Sequence, residues 1–278
     1  LDADLILGDE TVVQVLKESG RAAQSKSYLW AQMTGSGPPI RLFSYTPGRG
    51  GTHAQPLYDG IKPGAVLMSD GYEVYNAIAA SRGAIHLGCW AHARRYFVEA
   101  EAAIPKAARG PEQLATQFIA AMAELYAIET QTKDLNVEQR GQRRQEQSRP
   151  VLVKIEALLL QHLHAVIPGS LLGKALHYLS SQWSKLIRFV DNGAWPIDNN
   201  LCENAIRPFV VGRRNWLFCD TVAGARASAN LYSLIETCKA NSVDPYTYLV
   251  DLFRKLPTAK TVEEFEALLP WNLDALTD

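Results

Sequence analysis

The order of the apolar stretches is the feature that most restricts the fold of this 278-residue chain. Three β-branched and aromatic stretches, at residues 5–15, 28–33 and 40–45, follow one another through short links, which predicts an antiparallel meander. A strand that ends at Asp70, a helix over 72–80, a strand over 84–87 and a helix after Cys89 come next. Such a succession is typical of a mixed α/β domain.

The middle of the chain, about residues 104–194, is predicted to be wholly helical because apolar residues recur there in two stripes with helical spacing. One stripe contains Leu114, Phe118, Ala121, Met122, Leu125 and Ile128, and the other contains Leu172, Leu176, Leu179, Trp183, Leu186, Ile187 and Val190. We interpret both stripes as core. The polar segment 133–149 between them is interpreted as a solvated helix end or a mobile link.

Helical signals return after Trp195. Asp198 stands where the N-cap of a helix belongs, and an amphipathic helix follows over about 227–238. Asn241 ends that helix, Asp244-Pro245 begins another, and Thr261 with Glu264 forms a capping box for a short last helix. The C-terminal region is therefore predicted to be helical.

Composition excludes several classes of protein. The chain is 47% hydrophobic, yet no apolar run reaches the roughly 18 residues that span a bilayer. Its four cysteines are widely spaced without a C-x-x-C pair, which indicates neither a disulfide framework nor a zinc ribbon. We expect a reduced, cytoplasmic setting. The first residue is Leu1, and no signal peptide follows, so we expect a further segment upstream in the natural protein.

Two acidic residues interrupt or end apolar strands. Asp9 lies inside the first stretch, where an acid is costly unless it is paired or bound to metal. Asp70 closes a buried strand, the usual place for catalytic groups of α/β sheets. The alternatives are a solvent-facing strand end for Asp9, next to a bulge at Gly8, and an ordinary turn residue for Asp70.

A third acid lies on the helix that Asp198 begins. Asn199, Asn200, Glu203 and Arg207 recur at three- and four-residue spacing, which places them on one polar face. A carboxylate near a helix start, with an arginine one turn further on, can hold a divalent ion beside a phosphate. The alternative is a capped helix with a surface ion pair between Glu203 and Arg207.

Positive charge is concentrated just after that helix start, although the net charge of the chain is only −1. Four arginines and one acid fall between Arg207 and Arg226, whereas seven acids and three bases fall after Val243. In the basic segment, Arg213 and Arg214 precede Trp216 and Phe218, a mixture that can contact phosphates and stack on bases. The alternative is that both aromatic residues belong to the core.

The pair Cys89-x-x-His92 has metal-ligand spacing, but no second half-site accompanies it, so we do not predict a zinc site there. His92 and Trp90 either face DNA or pack the start of a helix, and we favour proximity to the site for His92. His86, within its strand, is interpreted as a core or strand-face residue.

Three early strands, strand–helix alternation and acids on the first strand, the fourth strand and a late helix describe a ribonuclease H-like arrangement. Five motifs then carry a resemblance that covers nearly the whole chain: GDET at 8–11, SDGY at 69–72, GCWAHARR at 88–95, DNNLCEN at 198–204 and GRRNWLF at 212–218. In this order they resemble the catalytic region of the bacterial DDE transposases of the insertion-sequence sixty-six family. YSLIETCK at 232–239 and Asp244-Pro245 match that family's C-terminal pattern.

The resemblance implies metal-dependent cleavage and transfer of DNA strands by a triad of Asp9, Asp70 and Glu203. Two Mg²⁺ or Mn²⁺ ions are implied as cofactors, with Asp9 bridging them. The residues expected to contact DNA are Arg207, Arg213, Arg214, Trp216, His92, Arg94 and Arg95. The expected partners are transposon ends and target DNA, and no membrane is expected. A homo-oligomer on DNA and accessory proteins of the same element are compatible with the resemblance.

The same resemblance divides the chain into four parts. A ribonuclease H-like core occupies 1–103 and 195–240, a helical insertion 104–194 and a helical extension 241–278. Proteins of this family usually carry an upstream cysteine-rich DNA-recognition element, so this chain resembles their catalytic portion. The resemblance implies a bacterial cytoplasmic protein that is associated with the nucleoid when it acts. Two alternatives stay open: a nuclease of the same fold that never joins strands, and a non-catalytic DNA-binding protein descended from a transposase.

Overall fold

The apolar stretches of the sequence form the strands of a mixed, open, six-stranded sheet in the computed structural model, which describes residues 3–272. The strands are β1 (Leu5–Lys17), β2 (Lys26–Thr34), β3 (Arg41–Thr46), β4 (Val66–Ser69), β5 (Ile85–Gly88) and β6 (Cys219–Thr221). Their spatial order is β3-β2-β1-β4-β5, and β6 pairs with β1. The predicted mixed sheet flanked by helices is thereby confirmed.

The first three strands form the predicted antiparallel meander. Ile6 of β1 pairs with Thr34 of β2, and Tyr28 of β2 pairs with Thr46 of β3. The short β6 was not predicted, and it lies parallel to β1 with Val15 opposite Cys219. Three residues carry too little periodicity to distinguish a strand from a turn, and only pairing with a distant strand defines this one.

Helices account for most of the remaining chain. They are α1 (Gly51–Ala54), α2 (Glu73–Arg82), α3 (Trp90–Ala102), α4 (Leu114–Gln131), α5 (Val137–Arg143), α6 (Arg149–His162), α7 (Leu171–Leu186), α8 (Asn200–Trp216), α9 (Val222–Ala240), α10 (Pro245–Lys255) and α11 (Val262–Glu266). The helical character predicted for 104–194 and for the C-terminal region is confirmed. Within residues 3–272, none of these helices combines the length and the apolar character that a bilayer crossing requires.

The described chain divides into two compact units. The first contains residues 3–67, 76–85 and 201–272, and the second contains residues 68–75 and 86–200. The four-part division expected from the sequence stays a prediction.

Helix α9 covers the edge strand β3 within the first unit. The Ser233 hydroxyl accepts a hydrogen bond from the Phe43 backbone N–H at 2.7 Å, and the Thr237 hydroxyl accepts one from the Arg41 N–H at 2.9 Å. An edge strand exposes unpaired backbone groups that invite aggregation. The two hydroxyls satisfy these donors, so α9 closes this side of the sheet.

The core of the second unit is built from the two predicted stripes. Its buried residues on α3, α4, α6 and α7 form one apolar cluster that includes Trp90, Phe97, Phe118 and Leu179. Phe97 and Phe118 stack with ring centroids 4.5 Å apart, and the Trp90 indole N–H donates to the Leu186 carbonyl at 2.8 Å. The helical stripes are therefore core, as predicted.

The interpretation of 133–149 as a solvated helix end or mobile link holds only for its solvation, because most of the segment is exposed but it is mostly helical and not a link. Residues 137–143 form α5, and a π-helical turn, Arg144–Ser148, connects it to α6. The Arg144 side chain is buried and forms an ion pair with Glu129 at 2.6 Å. A composition rich in Gln and Arg normally indicates solvent exposure, and only the tertiary contacts of this arginine reverse that interpretation.

The helix signals near the C-terminus are confirmed. Asp244 caps α10 by accepting the Thr247 N–H at 2.7 Å, and Thr261 with Glu264 forms the capping box of α11. The expectation of thiols rather than disulfides also holds, because all four cysteines are free and buried.

Candidate functional site

Asp9 lies in β1, the middle strand of the sheet order, and not at a strand end. It pairs with Ala31 of β2 and is half-buried. Its Oδ1 accepts a hydrogen bond from the Glu10 backbone N–H at 2.8 Å, which orients the carboxylate. Asp9 therefore lies within the sheet and not at a solvent-facing strand end, and its catalytic role stays a prediction.

Glu203 lies in the first turn of α8 and is half-buried. The preceding residue, Cys202, is completely buried, and its sulfur lies 3.9 Å from the Ala31 carbonyl oxygen. Because Ala31 is the strand partner of Asp9, the start of α8 packs directly beside the acidic segment of β1.

The pKa of the Cys202 thiol depends on the charged side chains around it in the first unit. Burial raises the pKa of this thiol well above its ordinary value. The Asp9 carboxylate raises that pKa further, as do Glu203 and Glu10 to a smaller extent, while the Arg41 guanidinium lowers it. Asp9 and Glu203 thus act on the same sulfur, and the structure brings these two predicted site residues into one neighbourhood.

Glu10, next to Asp9, is neutralised by a cation. Its side chain is almost completely buried, and Oε1 contacts Arg49 Nε at 2.7 Å and Nη2 at 2.5 Å. A buried carboxylate with such a partner is a structural ion pair. The sequence did not identify Arg49, since the two residues are far apart in the chain and no spacing relates them.

Asp70 belongs to the second unit and follows the last residue of β4. Its Oδ1 accepts a hydrogen bond from the Tyr72 backbone N–H at 2.9 Å, the geometry of an Asx turn. A Cβ atom at Gly71 would lie 2.6 Å from Tyr178 Cε2, so only glycine fits between this carboxylate and the aromatic ring. Asp70 is therefore held in a tight turn against α7.

Lys185 of α7 lies close to Asp70, and Arg188 in the turn after α7 lies close to Lys185. Burial lowers the pKa of Lys185, Arg188 lowers it further, and the Asp70 carboxylate partly restores it. The Arg188 guanidinium donates to the His86 carbonyl at 3.0 Å. Lys185 was not predicted as a site residue, although its three-residue spacing to Arg188 on a helix was a usable signal.

His86 is a core residue, as predicted. Its Nε2 lies 2.8 Å from the Ser69 hydroxyl. Burial lowers the pKa of His86 to about 3, and the charges of Lys185 and Arg188 lower it in the same direction. The imidazole is therefore neutral at physiological pH and serves the packing under Asp70.

The residues His92, Arg94 and Arg95 lie in the first two turns of α3, which begins after Cys89. His92 is half-buried and both arginines are exposed. A pocket of about 350 Å³ adjoins this face, lined by Ala91, Arg94, Ala123, Tyr126 and Asn200. The Cys89 thiol accepts the Asn199 backbone N–H at 3.2 Å, which gives this sulfur a structural role.

Asp198 organises the segment that leads into α8. Its Oδ1 accepts the Asn200 backbone N–H at 3.1 Å, so it satisfies a first-turn donor as the sequence predicted. Its Oδ2 accepts from the Tyr126 hydroxyl at 2.9 Å and from the Asn200 side-chain amide at 2.8 Å. Burial raises the pKa of Tyr126, and the charge of Asp198 raises it further. Tyr126 therefore remains a hydrogen-bond donor.

The first part of the basic segment, residues 207–216, forms the second half of α8. Arg207 and Arg214 are exposed, whereas Trp216 and Arg213 are half-buried. The Arg213 guanidinium donates to the Thr11 hydroxyl at 3.0 Å and to the Val12 carbonyl oxygen. Arg213 therefore ties α8 to β1. The DNA contacts expected of these four residues, and of His92, Arg94 and Arg95, stay predictions.

Two family models match the chain in succession. The model described as "Transposase IS66 family" matches residues 1–227, and the model described as "IS66 C-terminal element" matches residues 233–271. The chain belongs to the IS66 transposase family. The resemblance stated on the five motifs is confirmed.

Similar proteins come from Sinorhizobium fredii. The uncharacterized protein y4qI is 31% identical over 284 residues, covering 98% of this chain and 51% of its own length. The uncharacterized protein y4jD is 31% identical over 283 residues, covering 97% of this chain and 54% of its own length. The chain therefore spans about half the length of the curated relatives that it matches.

Proposed function

We propose that this chain is the catalytic portion of a DNA transposase that cleaves and joins DNA strands with the acids Asp9, Asp70 and Glu203. The observation that carries the proposal is that the start of α8, which carries Glu203, packs through Cys202 against Ala31, the strand partner of Asp9. The two acids are 194 positions apart in the sequence. Membership in a transposase family supports this assignment. The sheet order, with an antiparallel meander beside β4 and β5, supports a ribonuclease H-like core.

The donor chemistry fits hard divalent cations. Asp9 and Glu203 offer carboxylate oxygens, the ligand type that Mg²⁺ and Mn²⁺ prefer. Asp9, Asp70 and Glu203 are the residues that would hold two such ions, which when bound activate the attacking hydroxyl and stabilise the leaving 3′ oxygen.

The residues around the acids support this assignment. Arg49 pairs with Glu10, so this acid next to Asp9 is held in a structural ion pair. Arg213 holds β1 through Thr11, just beyond Asp9. The exposed guanidinium groups of Arg207 and Arg214 are the best placed on α8 to contact phosphate groups without losing internal contacts.

DNA is the proposed partner, both as transposon ends and as target. A homo-oligomer on DNA and accessory proteins of the same element are compatible with this proposal.

Incubation with DNA that carries the ends of the encoding element, in Mg²⁺ or Mn²⁺, tests the proposal. The wild-type chain is expected to cleave strands and join their 3′ ends, and Glu203→Gln is expected to abolish both with little change in thermal unfolding. Glu263→Gln is a matched control, because Glu263 is also a first-turn acid but is exposed on α11.

Three other results would contradict the proposal in different ways. Cleavage without joining would indicate a nuclease, and DNA binding without cleavage would indicate a non-catalytic protein. Normal cleavage by Glu203→Gln would remove Glu203 from the triad. Anomalous scattering from Mn²⁺-soaked crystals is expected to place ions at the three carboxylates.

A further inference from the structure

A pocket lined by aromatic rings lies where α8 ends and α9 begins, entirely within the first unit. Its volume is about 280 Å³, and its lining combines the rings of Trp216, Phe218 and Tyr232 with Cys219, Asp220, Thr221, Gly224 and Ser228. The Asp220 carboxylate is paired with Lys17 Nζ at 2.9 Å. We call this pocket the aromatic pocket. Pockets for drug-sized ligands occupy about 300–1,000 Å³, so the aromatic pocket has room for one small planar group.

Two rings of the aromatic pocket, Trp216 and Tyr232, pack against the buried ring of Phe209. Phe209 is completely buried and meets Trp216 edge-on at 5.2 Å and Tyr232 edge-on at 5.3 Å between ring centroids. Preorganised rings lose little conformational entropy when a ligand stacks on them. The two rings are therefore a rigid surface rather than mobile side chains.

Two polar groups of these rings lie beside Gly212 of α8. A Cβ atom at Gly212 would lie 3.0 Å from Trp216 Nε1 and 3.0 Å from the Tyr232 hydroxyl. Among the residues that the structure describes, neither of these groups forms a hydrogen bond with another protein group. An indole N–H donates, and a phenol both donates and accepts. The pair thus offers hydrogen bonds to the edge of a planar ligand.

The third ring is presented to solvent by a strained turn. Leu217 has φ +63°, a left-handed conformation that a side chain with a Cβ atom rarely adopts, and it follows the last residue of α8. Phe218 comes next and is 42% exposed. The strain directs Phe218 to the pocket edge instead of the core, where an apolar ring of this size would otherwise be buried.

We propose that the aromatic pocket binds a single unpaired nucleobase of the DNA. A base has a π-face that stacks on aromatic rings and an edge that exchanges hydrogen bonds with an indole N–H and a hydroxyl. The pocket follows directly on the basic half of α8, which carries Arg213 and Arg214. This inference rests on the proposed action on DNA, and it adds that one nucleotide leaves the duplex.

Equilibrium binding to two labelled duplexes of equal length tests the inference, one fully paired and one with a single extruded adenine. The wild-type chain is expected to bind the second roughly tenfold more tightly, the range that base–aromatic stacking supplies. Phe218→Ala is expected to lose this preference and Phe218→Trp to keep it. Gly212→Ala is expected to weaken it, because the new methyl group crowds Trp216 Nε1 and the Tyr232 hydroxyl.

A matched control removes an exposed aromatic ring elsewhere. Tyr246 on α10 is 78% exposed, and Tyr246→Ala is expected to keep the preference. With 2-aminopurine as the extruded base, wild-type protein is expected to quench its fluorescence and Phe218→Ala to leave it bright. A folded Phe218→Ala variant that retains the preference overturns the inference while leaving the proposed function intact. Absence of binding to either duplex overturns both.

Discussion

The Arg213 guanidinium donates a hydrogen bond to the Thr11 hydroxyl at 3.0 Å, and so joins helix α8 to strand β1 two residues beyond Asp9. The same guanidinium also donates to the Val12 carbonyl. An arginine that the sequence places among phosphate contacts therefore has an internal role in positioning the strand that carries a candidate acid.

Replacement of Arg213 separates these two roles. Arg213→Ala is expected to lower the free energy of unfolding by about 1.5–3 kcal/mol, since hydrogen bonds from a charged donor are lost. Arg214→Ala, at an exposed neighbouring position, is expected to change it by less than about 0.5 kcal/mol. Urea denaturation measures both. In DNA-binding titrations, the salt dependence is expected to fall more for Arg214→Ala than for Arg213→Ala. Equal stability of the two variants would refute the positioning role.

Gly71 separates Asp70 from the ring of Tyr178. Gly71→Ala is expected to destabilise the protein by about 1–3 kcal/mol, because the new methyl group would overlap Tyr178 Cε2. Thermal unfolding measures the loss, and Gly169→Ala is a control because its Cβ meets no atom within 4 Å. In a double-mutant cycle, Gly71→Ala is expected to cost much less stability in a Tyr178→Ala background, because the ring that the new methyl group overlaps is absent. Simple additivity would exclude the overlap as the cause.

The buried imidazole of His86 makes stability depend on pH. Its folded-state pKa of about 3 lies below the ordinary value of 6.5, so the unfolded chain binds the proton more readily. The contribution of the neutral His86 imidazole to the free energy of unfolding is complete above about pH 6.5. It is lost as the pH falls toward 3, by at most about 1.4 kcal/mol per pH unit. Denaturation of wild type and His86→Gln between pH 7 and 4 is expected to show a shallower slope for the variant.

A matched control for loss of an imidazole is His164→Gln, since His164 is exposed on the second unit. Parallel pH profiles of wild type and His86→Gln would mean that His86 does not carry the linkage.

Arg144 is expected to be a large contributor to the stability of the second unit. Its guanidinium contacts both carboxylate oxygens of Glu129, at 2.8 and 2.6 Å, and donates to the carbonyls of Phe189 and Asn192. Arg144→Ala is expected to cost about 3–5 kcal/mol, because Glu129 and two carbonyls would lose their partner. Removal of the exposed pair of Arg149 with Asp191 is expected to cost less than about 1 kcal/mol.

Denaturant titration of Arg144→Ala and Arg149→Ala compares the two ion pairs directly. Similar losses would mean that burial does not distinguish them. Arg144→Met is a further check, because it keeps the volume of the side chain and removes its donors.

Local patterns in the sequence determined the strands of the meander, the helical stripes around Phe118 and Leu179, and the caps at Asp244 and Thr261. These features depend on the spacing of apolar side chains and on backbone N–H groups within a few residues. The sequence therefore predicts them without knowledge of the fold. The motifs also indicated the family, and the two family models confirm it.

Tertiary structure alone decided the rest. The pairing of β6 with β1, the ion pairs of Arg49 and Arg144, and the approach of Asp9 and Glu203 to Cys202 all join residues that are distant in sequence. Whether a charged side chain is solvated or buried depends on which distant element covers it, and periodicity carries no information about that neighbour. The chemistry of each acid was therefore visible in the sequence, while its surroundings were set by packing.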